Sequence, residues 1–218
     1  MGRYRGRVLA ALAAMTWVGG SAAASDLEAG KKLADQGSSN GAMACVACHG
    51  PDGGGNAAAG FPRLAGLDAA YIARQIQAYR EGARGAPVMA PIVAGLSETD
   101  VANVAAWYAS LAVPKATPAP ADQALLEEGE RLATRGNWAN GVPACVTCHG
   151  PGGRGVDENF PPIAGQHATY LAAQLRAWKA GERKNDPLGL MKVVAQRLTD
   201  REIDAVAAWF AHQPPSAE

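Results

Sequence analysis

Two thiols and an imidazole within five residues, twice over, are the groups in this chain best suited to chemistry. Cys45, Cys48 and His49 stand in "MACVACHGPDGGG", and Cys145, Cys148 and His149 in "PACVTCHGPGGRG". They use all 4 cysteines of a 218-residue chain. A disulfide framework would close only tiny loops here, and a thioredoxin-like redox pair needs a βαβ context that the flanks do not offer. A structural zinc site takes four ligands, and each cluster supplies three. Covalent haem attachment uses every residue. The two thiols add to the porphyrin vinyl groups, and the adjacent histidine ligates the iron. The sequence therefore predicts two haem c groups, held through Cys45, Cys48, Cys145 and Cys148, with His49 and His149 as proximal ligands.

The sixth iron position separates a carrier from a catalyst. Methionine there saturates the iron and raises its potential, whereas an open position permits catalysis or gas binding. Met1 and Met15 fall in the N-terminal leader, and Met43 precedes Cys45 by two residues, on the wrong side of the motif. Met89 in "APVMAPIV" and Met191 in "LGLMKVVA" remain, at matching places in the two copies. Methionine also fills core gaps. The equivalence of these two predicts axial ligands. His167 and His212 occur in one copy only and read as surface or packing residues.

A ligating histidine keeps a partner on its other ring nitrogen. The carbonyls of Pro62 in "GFPRLAG" and Pro161 in "NFPPIAG" are candidates; a plain turn is the alternative. Arg63 could meet a haem propionate, at one haem only, because Pro162 stands there in the second copy. Tyr71, Tyr79, Trp107, Tyr170, Trp178 and Trp209 are expected to wall the haems.

The elements that must hold these groups repeat at a spacing of about one hundred residues. "EAGKKLADQG" matches "EEGERLATRG", and "LSETDVANVAAWYASL" matches "LTDREIDAVAAWFAHQ". Three helices per copy are expected. In the first copy they cover about Leu27 to Asp35, Ala69 to Glu81, and a third opening at Ser97, with Ser97-x-x-Asp100 and Thr199-x-x-Glu202 as capping boxes. No alternating run predicts a sheet, so the class is all-α. The Pro-rich "VPKATPAPADQ" separates a domain at 25–113 from one at 122–218, with 114–121 as an extended linker.

Residues 1–24 read as an export signal, with Arg3, Arg5 and Arg7, an apolar run, and small residues for cleavage near Ala24. Removing it takes the charge from 20 basic against 20 acidic residues to 17 against 20. Nothing in that balance suggests nucleic acid.

Two C-x-x-C-H-G motifs, each followed by P-x-x-A-G, Y-x-x-x-Q, a loop methionine and a capped C-terminal helix, resemble the two-domain dihaem cytochromes of the cytochrome c4 family. The resemblance covers almost the whole chain after the leader. It implies two tandem class I cytochrome c domains arisen by duplication, His/Met ligation through His49 with Met89 and His149 with Met191, and a periplasmic carrier. Its partners would be redox proteins such as a membrane oxidase or a dehydrogenase, with no small-molecule substrate and membrane association only through a partner. The long loops "GSSNGAMA" and "GNWANGVPA" before the motifs depart from the family pattern. They suggest a divergent branch tied to a particular dehydrogenase or oxidase. A dedicated subunit of a membrane-bound complex is the alternative. A dihaem peroxidase is a further one, disfavoured by two equivalent methionines.

Overall fold

The computed structural model describes residues 25–85, 87–115 and 117–215; the expected leader and its cleavage site lie outside them. Ten α-helices follow in order: α1 Leu27–Gln36, α2 Val46–His49, α3 Ala69–Arg80, α4 Met89–Ala94, α5 Glu98–Ser110, α6 Gln123–Arg135, α7 Val146–His149, α8 Ala168–Ala180, α9 Leu190–Arg197 and α10 Asp200–Ala211. Among the described residues there is no strand, only three isolated bridges. The all-α class is as expected from the sequence. The helix count is not: α4 and α9 form where loops were expected, and the two C-x-x-C-H motifs add the one-turn α2 and α7. In α4, Pro91 sits in the first turn, where its missing N–H costs little, and Met89, Ile92 and Val93 share one face.

Local chemistry sets the boundaries. Asp26 and Asp68 cap α1 and α3 through their carboxylates. The Ser97 hydroxyl accepts from the Asp100 N–H while Asp100 accepts from the Ser97 N–H, and Thr199 and Glu202 repeat the exchange. Each such cap contributes about 1 kcal/mol.

In each copy the first helix crosses the last at a glycine. A Cβ on Gly30 would lie 2.2 Å from the Asn103 carbonyl oxygen, and one on Gly129 the same 2.2 Å from that of Ala205. Only glycine admits backbones that close. Around the α1–α5 crossing, Leu33, Ile72, Ile76, Val93, Val104 and Tyr108 form one core. The second copy has two smaller clusters, around Val142 and Ile203 and around Leu132 and Phe210, which share half-buried Leu171 and Leu175.

The unusual loops before the motifs are pinned to the ends of α4 and α9. Ser38 Oγ donates to the Gly95 carbonyl at 2.6 Å, and Arg197 donates to the Gly141 carbonyl at 2.6 Å. Each loop thereby ties the start of a C-x-x-C-H turn to the helix that carries Met89 or Met191.

The two copies meet through polar groups. The Gln166 side chain clasps the Arg63 backbone, accepting from its N–H at 2.9 Å and donating to its carbonyl at 2.9 Å. His167 Nε2 donates to the Gly54 carbonyl at 2.9 Å, and Thr169 Oγ1 to that of Ala57 at 2.8 Å. A short antiparallel contact pairs Arg84 with Arg183, closed by Gly85 N–H to the Glu182 carbonyl at 3.1 Å and Lys184 N–H to that of Ala83 at 2.6 Å.

Candidate functional site

Each C-x-x-C-H sequence folds as a single helical turn. The His49 N–H bonds the Cys45 carbonyl at 2.9 Å, and the His149 N–H bonds that of Cys145 at 3.0 Å. This turn brings both thiols and the imidazole of a motif to one short stretch of backbone. Gly50 and Gly150 end it with φ of 77° and 75°. The chain then loops back, and the Gly55 and Gly155 N–H groups bond the His49 and His149 carbonyls at 2.8 and 2.7 Å.

That loop delivers an acceptor to each ring. His49 Nδ1 lies 2.9 Å from the Pro62 carbonyl, and His149 Nδ1 2.8 Å from the Pro161 carbonyl. The expectation from "GFPRLAG" and "NFPPIAG" is met at both places. Glycine is needed for this approach: a Cβ on Gly55 would sit 2.5 Å from the Phe61 oxygen and 2.5 Å from the Pro62 carbonyl carbon. A backbone carbonyl can only accept, so Nδ1 carries the proton and Nε2 keeps its lone pair. Among the described residues neither Nε2 has a hydrogen-bond partner.

The electrostatics suit a metal-ligating imidazole. Burial holds both histidines below their ordinary range and outweighs the carbonyl bond, which raises them, so both rings stay neutral. Burial pushes the Cys145 thiol up to about 11 and raises Cys45 as well. All four cysteines are free. No three His, Cys, Asp or Glu side chains converge into a metal-holding group among the described residues. A neutral imidazole presenting one lone pair, beside two unpaired thiols on one turn, fits a covalently held haem. The buried Tyr108 hydroxyl lies beside Cys45, on the first of these turns.

The cytochrome c family model matches residues 27–112 and again 126–213. A crystal structure of reduced cytochrome c4 from Pseudomonas stutzeri superposes with a TM-score of 0.75 at 35% identity, over 88% of this chain and 100% of that one. The chain belongs to the cytochrome c4 family. It therefore carries two covalently bound haem c groups and transfers electrons. A thiosulfate dehydrogenase electron acceptor from Thiomonas intermedia is 52% identical over 80% of this chain and 81% of its own. A solved thiosulfate dehydrogenase from Marichromatium purpuratum gives a TM-score of 0.83 at 47% identity; it matches 88% of this chain, which spans 41% of the larger one.

Within this cytochrome the methionines fall as follows. Met89 opens α4 and is half-buried against the first core; Met191 is the second residue of α9, also half-buried. Met43 is 62% exposed. His212 bonds back to the Ala208 carbonyl within α10. His167 is a packing residue of a specific kind, joining the two copies through Gly54.

Arg63 spends both terminal nitrogens on backbone, donating to the Ala65 carbonyl and, at 3.1 Å, to that of Ala164 in the other copy. Several of the expected wall residues also have charged or aromatic neighbours. Arg84 lies over Tyr79 at 4.6 Å, and Arg183 over Trp178 at 3.8 Å, while Arg84 also donates to the Tyr170 hydroxyl. Trp107 instead packs beneath Lys31, and Trp209 packs edge-on to Phe210. Arg84 and Arg183 were missed in the sequence. Their signal was there, since G-x-R follows the second long helix in both copies.

Proposed function

We propose that this cytochrome is an exported electron acceptor for a thiosulfate-oxidising dehydrogenase and passes the electrons to a terminal acceptor such as an oxidase. The duplicated site carries the reading. Two neutral imidazoles, each fixed by a backbone carbonyl, call for two equally built haem centres rather than one carrier and one catalyst. The resemblance to the Thiomonas electron acceptor supplies the donor, and the basic, apolar leader supplies the export.

The haem iron, when bound, cycles between Fe(III) and Fe(II). The chain's part would be to hold it between a histidine and a methionine. Cys45, Cys48, Cys145 and Cys148 fix the porphyrins. His49 and His149 would supply a nitrogen ligand to each iron, and Met89 and Met191 a thioether. Methionine ligation raises the potential and closes the iron to other ligands, which favours transfer over catalysis. The functional units are domains at 25–113 and 122–218, joined by the linker at 114–121.

Stopped-flow mixing tests the donor. The oxidised cytochrome is mixed with a thiosulfate dehydrogenase and thiosulfate, and the reduced α-band is followed. Reduction of both haems within the enzyme's turnover time is expected. A protein that dithionite reduces but the enzyme does not would refute the donor. A second reading, a permanently bound subunit, draws on the larger Marichromatium chain, in which a region like this one forms part of a single polypeptide. Stable co-elution with the dehydrogenase in size-exclusion chromatography would favour it.

A further inference from the structure

A single peptide group supports the first ligating histidine and is itself held from the other copy. The Pro62–Arg63 unit bonds at both ends. Its carbonyl oxygen takes the His49 Nδ1 proton at 2.9 Å, and its N–H is donated to Gln166 Oε1 at 2.9 Å. The Gln166 amide closes the clasp by donating to the Arg63 carbonyl, also at 2.9 Å. The His167 N–H bonds the same Oε1 at 3.1 Å, and Gln166 is only 3% exposed. Gln166, the Pro62–Arg63 peptide and His49 thus form one unbroken chain of hydrogen bonds across the junction.

The second copy lacks both parts of this chain. His149 Nδ1 meets the Pro161 carbonyl at 2.8 Å, but the next residue is Pro162. Proline has no N–H, so the Pro161–Pro162 unit has nothing to donate. The reaching side chain is missing too. Gly66 matches Gly165 in the repeat, so Leu67 stands where Gln166 does, and it is buried in the first core. A duplication alone would give two equal supports; Pro162 and Leu67 leave one.

In a low-dielectric interior, hydrogen bonds in series polarise one another, each gaining about 10–30% in strength. An acceptor on the amide N–H draws electron density toward the carbonyl oxygen of the same unit. Gln166 therefore makes the Pro62 oxygen a stronger acceptor for the His49 proton, and His49 Nε2 a stronger base toward the iron. We infer that Gln166 is a positioning residue for the first haem alone: from the other copy, it lowers that haem's potential through the Pro62–Arg63 peptide. The inference rests on histidine ligation at both haems but not on any donor, so its test uses the isolated cytochrome. Two low-spin haems in the parent report ligation separately, which keeps a failed relay distinct from failed ligation.

Gln166→Leu, Gln166→Glu and Thr169→Ala are compared with the parent by spectroelectrochemistry, with the two haems distinguished by paramagnetic proton NMR of their methyl groups. Gln166→Leu removes the acceptor and installs the residue that the first copy carries. Both haems should stay low-spin. The first haem's reduction equilibrium should shift toward the reduced form by about threefold, about 28 mV for a one-electron couple, with the second unchanged. Gln166→Glu keeps an oxygen acceptor for the Arg63 N–H and should not raise the first potential. Thr169→Ala loses a junction bond to the same loop at Ala57, away from that peptide, and should leave both potentials alone. Gln166→Met, closer in shape to glutamine, is read in the same way if Gln166→Leu does not accumulate. An unchanged first potential in the leucine variant would refute the inference. So would equal shifts at both haems, a glutamate variant as high as the leucine one, or the same shift from Thr169→Ala, which would mark loosened docking as the cause.

Discussion

Replacing Gly55 with alanine should cost the first domain more than backbone strain alone, and a neighbouring glycine provides the measure. Gly55 and Gly60 have φ of 81° and 74°. A left-handed conformation costs an L-residue about 1–2 kcal/mol, offset by about 0.4–1 kcal/mol because alanine stiffens the unfolded chain. At Gly60 a new Cβ meets nothing within 4 Å. Gly60→Ala should therefore lose only about 1 kcal/mol. At Gly55 the Cβ would come within 2.6 Å of the Pro62 oxygen, the acceptor of the His49 proton. That carbonyl must move, which sacrifices a hydrogen bond worth about 1 kcal/mol net and adds steric cost. For a domain of this size each kcal/mol shifts Tm by about 4–8 °C. A melt followed at the Soret band should show Gly55→Ala at least about 5 °C below Gly60→Ala. The potential of the first haem should also rise, because a histidine without its Nδ1 partner is a weaker base. If the two variants melt together with unchanged potentials, the loop does not work through Pro62.

Met89→Ala should leave the first haem covalently attached but high-spin or water-bound, lower in potential and open to carbon monoxide, with the second haem nearly unchanged. Met191→Ala should do the reverse and Met43→Ala neither; visible spectra under carbon monoxide decide. Cys145→Ala with Cys148→Ala should reduce the intact mass by one haem. Because the junction ties the copies together, small-angle scattering should then find the domains apart, whereas an unchanged profile would mean the interface stands without the second haem. With 6 basic against 8 acidic residues in 25–113 and 11 against 12 in 114–218, neither half is strongly polarised. Electron transfer from the donor should then vary only modestly with ionic strength; a steep fall between low and physiological salt would reveal a charged docking patch.

What could be read in the sequence was what local chemistry decides. Ser97 and Thr199 announced their helices because a capping box is complete within four residues. Pro62 and Pro161 could be proposed because the histidine's need for an acceptor is independent of the fold. The duplication also made Met89 and Met191 equivalent candidates, both of which the fold leaves half-buried near the start of a short helix. Helices α4 and α9 were illegible because they are short, Pro- and Gly-flanked, and held by tertiary contacts from Ser38 and Arg197. The junction was illegible for a different reason. Arg84, Arg183 and Gln166 bond across the copies over long separations, and although G-x-R recurs in both copies, nothing local says that a second domain will bury these arginines. Arg63 was weighed against a single haem because the comparison ran along the repeat and not across it.

A carrier of this kind holds two electrons per chain on two six-coordinate haems. Coulometric titration of the purified protein, read through its visible spectrum and repeated under carbon monoxide, tests it most directly. Two electrons per chain, low-spin spectra throughout, and no carbon monoxide adduct at either haem are expected. One electron per chain, or an adduct formed by the unmodified protein, would contradict it.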